Sequence, residues 1–365
     1  MICVLTCGHN PDDERIYQKQ IRTLLDAGYK VLYLTKNSTT TPLTDKNLIH
    51  KTIQLPLRQF IKSCFNEIKN AEIQSVHIHE FELLSLAKQV KNYLKLPTIY
   101  DVHESNIEMW DAFSSKPKLL KKLINFTLWR YEILHLKFVD FVLTVTPNLA
   151  ERYKKLGVSA KFVPNFPIVS KENSTSKTDS STIVYHGQIS EERGIFELLQ
   201  AMQLVIKTHP DAVLNCYGSE RKAGTINKFK QNIIQMGLGK SVVFHSHVVH
   251  SEILEILKNS RIGIIPFRDN QFTRAGLPVK LFEYFLCGCA VVASDLPLVR
   301  QFGKTAVSLV EPENFEGMAS QITLLLSDQK RYAKQVGNGF ELVSDHYNWA
   351  KYESKFLQVY ADLLK

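Results

Sequence analysis

The stretch IVYHGQISEERGIFELLQAM runs from Ile183 to Met202. Its first residues, Ile183 to His186, are β-branched, aromatic or apolar and read as a strand. Gly187 then permits a sharp turn. From there the apolar residues Ile195, Leu198, Leu199 and Met202 recur at i, i+3, i+4 and i+7, which is one face of a helix. A strand, a glycine turn and a helix make the repeating unit of a parallel sheet, whose crossovers need a helix.

The same unit recurs on both sides. Ile2–Thr6, Lys30–Leu34, Ser75–His79, Thr98–Asp101 and Phe141–Val145 read as strands. Glu14–Ala27, Leu83–Leu94 and Leu119–Lys137 read as helices between them. Downstream, Ile195–Thr208 is helical, and Ala212–Tyr217, Val242–His245, Ile262–Ile265 and Ala290–Ala293 are strands. Such alternation predicts an α/β fold of doubly wound parallel sheets covered on both faces. Between the two series lies Ser170–Ser181, SKENSTSKTDSS, which has no large apolar residue and reads as a linker or exposed loop. A chain of 365 residues exceeds what one core usually holds. The expected organisation is two Rossmann-like domains, residues 1–168 and 169–347, facing a cleft. A final aromatic helix at about 348–365, with Trp349, Tyr352, Phe356 and Tyr360, is expected to pack back on the first domain.

Composition narrows the class without naming an activity. The 44% hydrophobic and 22% charged content is that of an ordinary globular protein. No apolar run approaches the roughly 20 residues a membrane span needs. Met1–Leu5 runs straight into Gly8, His9 and Asn10, which is too short for a secretory leader, so a cytoplasmic location is expected. Cysteines at 3, 7, 64, 216, 287 and 289 form no paired CxxC framework and read as small buried hydrophobes. A net charge of +9 favours anionic partners: nucleotides, nucleic acid or acidic lipid.

Several segments carry polar groups that their surroundings do not explain. Arg193-Gly194 opens a helix at the end where the dipole prefers anions. It is either a solvated arginine beside Glu191 and Glu192 or, with free helix N–H groups, a phosphate site. In GLPVKLFEYFLCG, Lys280 and Glu283 share one helix face between apolar strands. They are either an exposed ion pair or a cleft-facing pair, with the carboxylate for a ribose and the ammonium for a phosphate. His103 lies beyond a strand end between acids and is either structural or part of a site. His77 and His79 point to one face of a strand, with no third ligand at metal spacing. Gly8 follows the first strand, but no GxGxxG is present, which weakens a dehydrogenase reading. Asp12, Asp13 and Glu14 read as a helix start. The basic, apolar segment 116–137 is either a packed helix with a solvated basic face or a helix on an anionic membrane.

Taken together these segments resemble the family 4 retaining glycosyltransferases, of the two-Rossmann GT-B fold. DDERIYQKQIRTLLDAGYKV, IYDVHE, LTVTPNLAERY and VPNFP look like first-domain segments and the crossing. YHGQISEERGIFELLQAM is similar to the second domain's phosphate loop. FHSHVVHSEILEILKNSRIGIIP leads into GLPVKLFEYFLCGCAVVASDLP, which looks like the nucleotide-sugar helix. The resemblance implies transfer of a sugar from a nucleotide-diphosphate sugar, a UDP- or GDP-sugar, to an acceptor hydroxyl with retention. It implies neither metal nor cofactor, in agreement with the lack of an Asp-x-Asp triplet. The implied setting is cell-surface polysaccharide or glycolipid assembly. The basic helix at 116–137 fits a lipid-linked acceptor at the inner face of an anionic membrane, and no nucleic acid partner is expected. A sugar-nucleotide epimerase of the same fold and a non-catalytic nucleotide-sugar-binding subunit are the alternatives.

Residue by residue, the resemblance gives His103, Arg193 and Lys280 catalytic roles. It places Gly8, Gly187, Arg193, Gly276, Leu277, Lys280 and Glu283 around the donor. Glu283 matches the second glutamate of E-x7-E, the ribose binder. The first would be residue 275, which is alanine here. Asn270, Thr273 and the backbone of Ala275 to Leu277 are the expected substitutes. Where the family often has a second basic residue stands Gln188, with Lys280 or Arg274 expected to supply the charge. Retention implies front-face attack, with the leaving phosphate taking the acceptor proton.

Overall fold

Alternation of apolar side chains along short strands builds the first sheet. Its strands are β1 (Ile2–Thr6), β2 (Val31–Thr35), β3 (Leu48–Thr52), β4 (Ser75–Ile78), β5 (Thr98–Val102), β6 (Phe141–Thr144) and β7 (Ser159–Phe162). They lie in the order β3-β2-β1-β4-β5-β6-β7, with every pair parallel. Ile2 and Val4 enter one core with Ile16, Tyr17 and Ile21 of the helix Glu14–Ile21. Cys3 and Leu5 enter the opposite core with Phe60, Cys64 and Leu84. Burial on both faces is why β1 and β2 are apolar at nearly every position, whereas the edge strands β3 and β7 are not.

The second sheet repeats the pattern with β8 (Thr182–His186), β9 (Val213–Tyr217), β10 (Val242–His245), β11 (Ile262–Ile265), β12 (Ala290–Ser294) and β13 (Val307–Val310). Its order is β10-β9-β8-β11-β12-β13, again all parallel. Ile183, Tyr185, Leu198, Met202, Ile262 and Val292 belong to its main core. The chain thus forms two units, Met1–Asn165 with Trp349–Lys365, and Phe166–Asn348. This computed structural model describes residues 1–38, 42–114, 116–169, 181–246 and 248–365. Of the expected linker at Ser170–Ser181, all but Ser181 lies outside the described residues.

The last helix, Ala350–Leu363, completes the first unit. Trp349, Phe356 and Tyr360 are buried in the core beside β1 and β2. Trp349 Nε1 donates to Thr23 Oγ1 at 2.9 Å, and Tyr360 Oη lies 2.7 Å from His77 Nδ1.

Two glycines set the frame of the second unit. A Cβ at Gly263 in β11 would lie 2.5 Å from the ring of Tyr284, so this glycine lets the helix Val279–Leu286 press onto the sheet. Gly194 has φ +67°, and a Cβ there would lie 1.6 Å from the Pro266 carbonyl oxygen. Gly194→Ala therefore combines a left-handed backbone with a backbone clash. It is expected to cost about 3 kcal/mol, read as a fall in the urea midpoint. A midpoint equal to that of wild type would show that the loop around Pro266 gives way freely.

The helix Lys118–Leu136 is turned differently from a helix with a purely basic outer face. Leu119, Leu123 and Phe126 are exposed on the same side as Lys118, Lys122 and Arg130. Among the described residues, no helix is long and apolar enough to cross a membrane.

Candidate functional site

In the second unit the polar groups gather where β8 and β11 adjoin and the crossovers run off in opposite directions, the usual ligand position of an open parallel sheet. β8 ends at His186, and Gly187 follows with φ +126°. The helix Val279–Leu286 brings Lys280 and Glu283 to the same place. Lys280 lies under Gly187: a Cβ on that glycine would be 2.7 Å from Nζ. The ammonium donates to the His186 carbonyl and sits 4.4 Å from the Tyr185 ring centre and 5.3 Å from that of Phe267. Burial first, then the Arg193 charge, push its pKa well below the ordinary lysine value, against the pull of Glu283.

Arg193 stacks on the same ring, its guanidinium carbon 4.3 Å from the Phe267 centre and 5.2 Å from that of Phe272. Among the described residues neither Arg193 nor Lys280 forms an ion pair. Two cations that share one aromatic ring without a carboxylate repel each other. Each ring contact is worth about 0.5–2 kcal/mol, and an anion placed between the charges would remove the repulsion.

Two histidines that sequence reasoning missed lie against Glu283; His250 is hydrogen-bonded to it, and His186 Nε2 is buried without a hydrogen-bond partner among the described residues. His250 Nε2 lies 2.8 Å from its Oε1, and His186 Nε2 lies 3.2 Å from its Oε2. Glu283 itself is 4% exposed. Burial lowers the His186 pKa to about 4, although Glu283 opposes the shift. A signal for His186 was present: it ends a strand just before a glycine turn, the kind of position that singled out His103.

Several expected donors are already engaged. The Gly187 N–H donates to Tyr217 O at 2.9 Å and the Gly276 N–H to Phe272 O at 3.0 Å, so neither is available to an anion. Asn270 and Thr273, the expected substitutes for the missing acid, form the capping box of the short helix Gln271–Ala275. Asn270 Oδ1 accepts the Thr273 N–H at 3.0 Å, and Thr273 Oγ1 donates to Arg268 O at 2.6 Å. Arg274, expected to add charge, pairs with Asp269 in solvent. Lys280 lies under Gly187 in the same turn, and the buried Oε1 of Gln188 has no hydrogen-bond partner among the described residues. Leu277 lies between the two helices, next to Pro278.

In the first unit His103 joins a cluster at the carboxyl ends of β1, β4 and β5. Asp101 is its centre. The carboxylate accepts from Arg15 at 3.1 and 2.8 Å and from Gln20 Nε2 at 2.5 Å. Burial would raise its pKa; Arg15 first, then His103 and His79, outweigh burial and hold it far below the carboxylate range. His103 Nε2 is 3.1 Å from His79 Nδ1 and 4.0 Å from Asp101 Oδ2. Burial, only partly offset by Asp101, lowers the His103 pKa to about 3. His77 is lowered to about 4 for the same reason.

Gly8, expected near a phosphate or acceptor, has its N–H 3.1 Å from Glu80 Oε1. Thr6 Oγ1 and the Cys7 N–H donate to the same carboxylate. Glu80 is thus a second group that the sequence did not reveal, and it fills the turn after β1. His77 and His79 do have a third group beside them, contrary to expectation: one ligand atom each of His77, His79 and Asp101 lies within 4.8 Å of the others. Both oxygens of Asp101 are spent on Arg15, however, and a guanidinium there would repel a metal dication.

This cluster has a consequence for stability. Unfolded histidines protonate near 6.5, whereas His77 and His103 stay neutral in the folded unit down to about 4 and about 3. Below pH 6.5 the unfolded chain therefore binds more protons, and stability falls with pH. One such histidine costs about 2 kcal/mol at pH 5. The expected result is a melting midpoint several degrees lower at pH 5 than at pH 7; equal midpoints would contradict it.

With the geometry in place, comparison with known proteins gives a family match. Residues 169–341, just under half of the chain, match the model of glycosyl transferases group 1. Glycogen synthase of Mycobacterium tuberculosis is 20% identical over 188 residues, which are 50% of this chain and 43% of that protein. The match thus spans less than half the length of this curated relative. Sucrose-phosphate synthase from Thermosynechococcus elongatus superposes with a TM-score of 0.78 at 17% identity, over 99% of this chain and 98% of that one. HepE of Anabaena, solved with UDP-glucose, gives 0.77 at 15% identity and 99% of both chains. At these identities the structures show the fold, which is GT-B.

Proposed function

We propose that this chain, whose second unit carries the group 1 glycosyltransferase pattern, transfers a hexose from a UDP- or GDP-sugar to an acceptor hydroxyl. The observation that carries the proposal is the Arg193–Lys280 pair on Phe267, two cations with no carboxylate between them. A donor diphosphate supplies the missing anion, and Glu283 accepts the ribose hydroxyls. In the transfer, charge builds on the leaving diphosphate; Arg193 and Lys280 stabilise it without a metal. HepE with UDP-glucose supports a UDP-sugar donor. The transfer proceeds with retention, and His103, neutral at every working pH, orients groups by hydrogen bonding.

A thermal-shift panel of UDP-, GDP-, ADP- and dTDP-glucose tests this reading. A ligand at 100 times its Kd stabilises by about 2.7 kcal/mol, so the true nucleotide raises the midpoint by several degrees. No shift with any of the four, or binding without release of nucleoside diphosphate, would remove the transferase reading. Binding without release would favour a non-catalytic subunit, the alternative to which Ala275 points.

The acceptor is lipid-linked and met at an anionic membrane, in assembly of a cell-surface polysaccharide or glycolipid. Support comes from the helix Lys118–Leu136, whose exposed Leu119, Leu123 and Phe126 stand among lysines. Each cation near an anionic surface adds about 1 kcal/mol. Replacing Lys118, Lys122 and Arg130 by glutamine is expected to reduce co-sedimentation with phosphatidylglycerol vesicles about 100-fold. Unchanged sedimentation would count against membrane contact.

A further inference from the structure

A groove of about 490 Å³ lies between the helices Lys118–Leu136 and Pro147–Lys155 of the first unit. It is lined by Trp129, Asn148, Glu151, Arg152, Lys155 and Leu156. Its size falls within the roughly 300–1,000 Å³ of small-molecule sites. We propose that this groove binds a pyranose ring of a neutral glycan, with Trp129 against the ring face and Asn148, Glu151 and Arg152 on its hydroxyls. The inference goes beyond the donor reading and uses no residue of the second unit.

The sequence makes one wall polar and the other aromatic. Asn148, Glu151, Arg152 and Lys155 recur at i, i+3, i+4 and i+7, which is one face of their helix. Leu149, Ala150 and Tyr153, on the other side, are buried. The polar wall therefore carries an amide, a carboxylate, a guanidinium and an ammonium in two turns. Trp129, on the other helix, is 38% exposed, and Leu156 adds a second apolar contact. The walls are tied together on their buried side, where Tyr153 Oη donates to Glu132 Oε1 at 2.6 Å. Thr146 Oγ1 caps the second helix, accepting the Leu149 N–H at 3.4 Å. A groove fixed in this way is formed before its ligand arrives, so little ordering is lost on binding.

The mixture of groups selects the ligand. A pyranose has a face of C–H bonds, which packs on the electron-rich face of an indole. Its rim carries neighbouring hydroxyls, each both donor and acceptor. An amide can donate and accept, a carboxylate accepts, and a guanidinium donates in a planar fork. A phosphate would suit the cations, but carboxylates stand among them. Glu108 Oε1 lies 3.2 Å from Arg152 Nη1, and Glu151 Oε1 accepts from Lys154 at 2.8 Å. Among the described residues only Lys155 of these cations has no ion pair, which is a weak field for a dianion. A neutral polyol uses the carboxylates as well as the cations. The Phe126 ring, exposed and centred 6.0 Å from the Trp129 ring, extends the aromatic surface beyond one sugar and suits a chain of them. An anionic lipid surface fits the turns with Lys118 and Lys122, but at this wall Glu151 would repel it.

The test uses the full chain, isotope-labelled for NMR. The three tryptophans, at 110, 129 and 349, give three indole N–H signals, and the one lost in Trp129→Phe belongs to Trp129. Oligosaccharides of glucose, mannose, galactose and N-acetylglucosamine are added singly up to about 5 mM, because one stacked ring with a few hydrogen bonds corresponds to a Kd of about 1 mM. At least one of the four is expected to move the Trp129 signal and leave that of the buried Trp349 in place. Trp129→Ala and Asn148→Ala should each weaken that oligosaccharide at least about tenfold, read from the backbone signals of the helix Pro147–Lys155. Both side chains are exposed, so the thermal midpoints of the variants should equal that of wild type. Their sedimentation with phosphatidylglycerol vesicles should also match wild type. A Trp129 signal that none of the four sugars moves, or equal affinity in wild type and both variants, would overturn the glycan site. Vesicle binding lost in Trp129→Ala without any response to sugar would overturn it too, and would assign the wall to the membrane. Each of these results leaves the donor reading untouched, because that reading is decided by the nucleotide panel.

Discussion

Replacing Asp101 with alanine should unfold the first unit or leave it barely stable, at a cost of about 3–5 kcal/mol. Arg15 is 3% exposed and gives Asp101 two hydrogen bonds. Without the carboxylate, its guanidinium stays buried with no counter-charge, and Gln20 loses an acceptor. The loss comes from the stranded charge more than from the pair itself, so the double variant Arg15→Met with Asp101→Ala should recover much of it. Urea denaturation followed by far-UV circular dichroism measures both. If the single and double variants are equally unstable, the stranded-charge argument is wrong. A single variant as stable as wild type would mean that water reaches Arg15.

Glu283→Gln is expected to weaken binding of the donor nucleotide by about 2–3 kcal/mol, roughly 30- to 150-fold, with a smaller effect on folding. A carboxylate accepts both hydroxyls of a ribose, whereas an amide offers one acceptor and turns a donor towards the other. The change also alters the hydrogen bond with His250, whose Nε2 lies 2.8 Å from Oε1. A ribose that binds Oε1 must therefore displace His250, which is 40% exposed. Titration calorimetry against the free nucleoside diphosphate measures the loss. Equal affinity in wild type and variant would remove Glu283 from the nucleotide site.

Much of the fold was legible in the sequence because its signals are local. The strands that the sequence showed are apolar runs, whereas the edge strands β3 (LIHKT), β7 (SAKF) and β13 did not stand out; a crossover helix shows its own 3.6-residue period, as in Ile195, Leu198, Leu199 and Met202. Lys280 and Glu283 stood out because a charge inside an apolar helix is visible without knowing its neighbours. Glu80, His186 and His250 did not, because their roles depend on partners far along the chain: Glu80 meets Gly8, 72 residues away, and His250 meets Glu283, 33 away. The hydrogen bonds of the Gly187 and Gly276 N–H groups were hidden for a related reason. Spacing shows where a turn falls, but not which carbonyl closes it, and Tyr217 and Phe272 close these two. Asn270 and Thr273 show the same limit, since a capping box and a sugar contact call for the same residue types.

The two units differ in how the ribosome delivers them. Phe166–Asn348 is one continuous segment, so all of its core has emerged once residue 348 clears the exit tunnel. The other unit starts at Met1 but needs Trp349, Phe356 and Tyr360 to fill its core. The segment made first must therefore wait, with part of its apolar face open, while 183 residues of the other unit are synthesised. At about 5–20 residues per second that wait lasts roughly 10–40 seconds, long enough for a chaperone to find it. The usual order of synthesis is inverted here: the segment that emerges second is the one free to finish folding first.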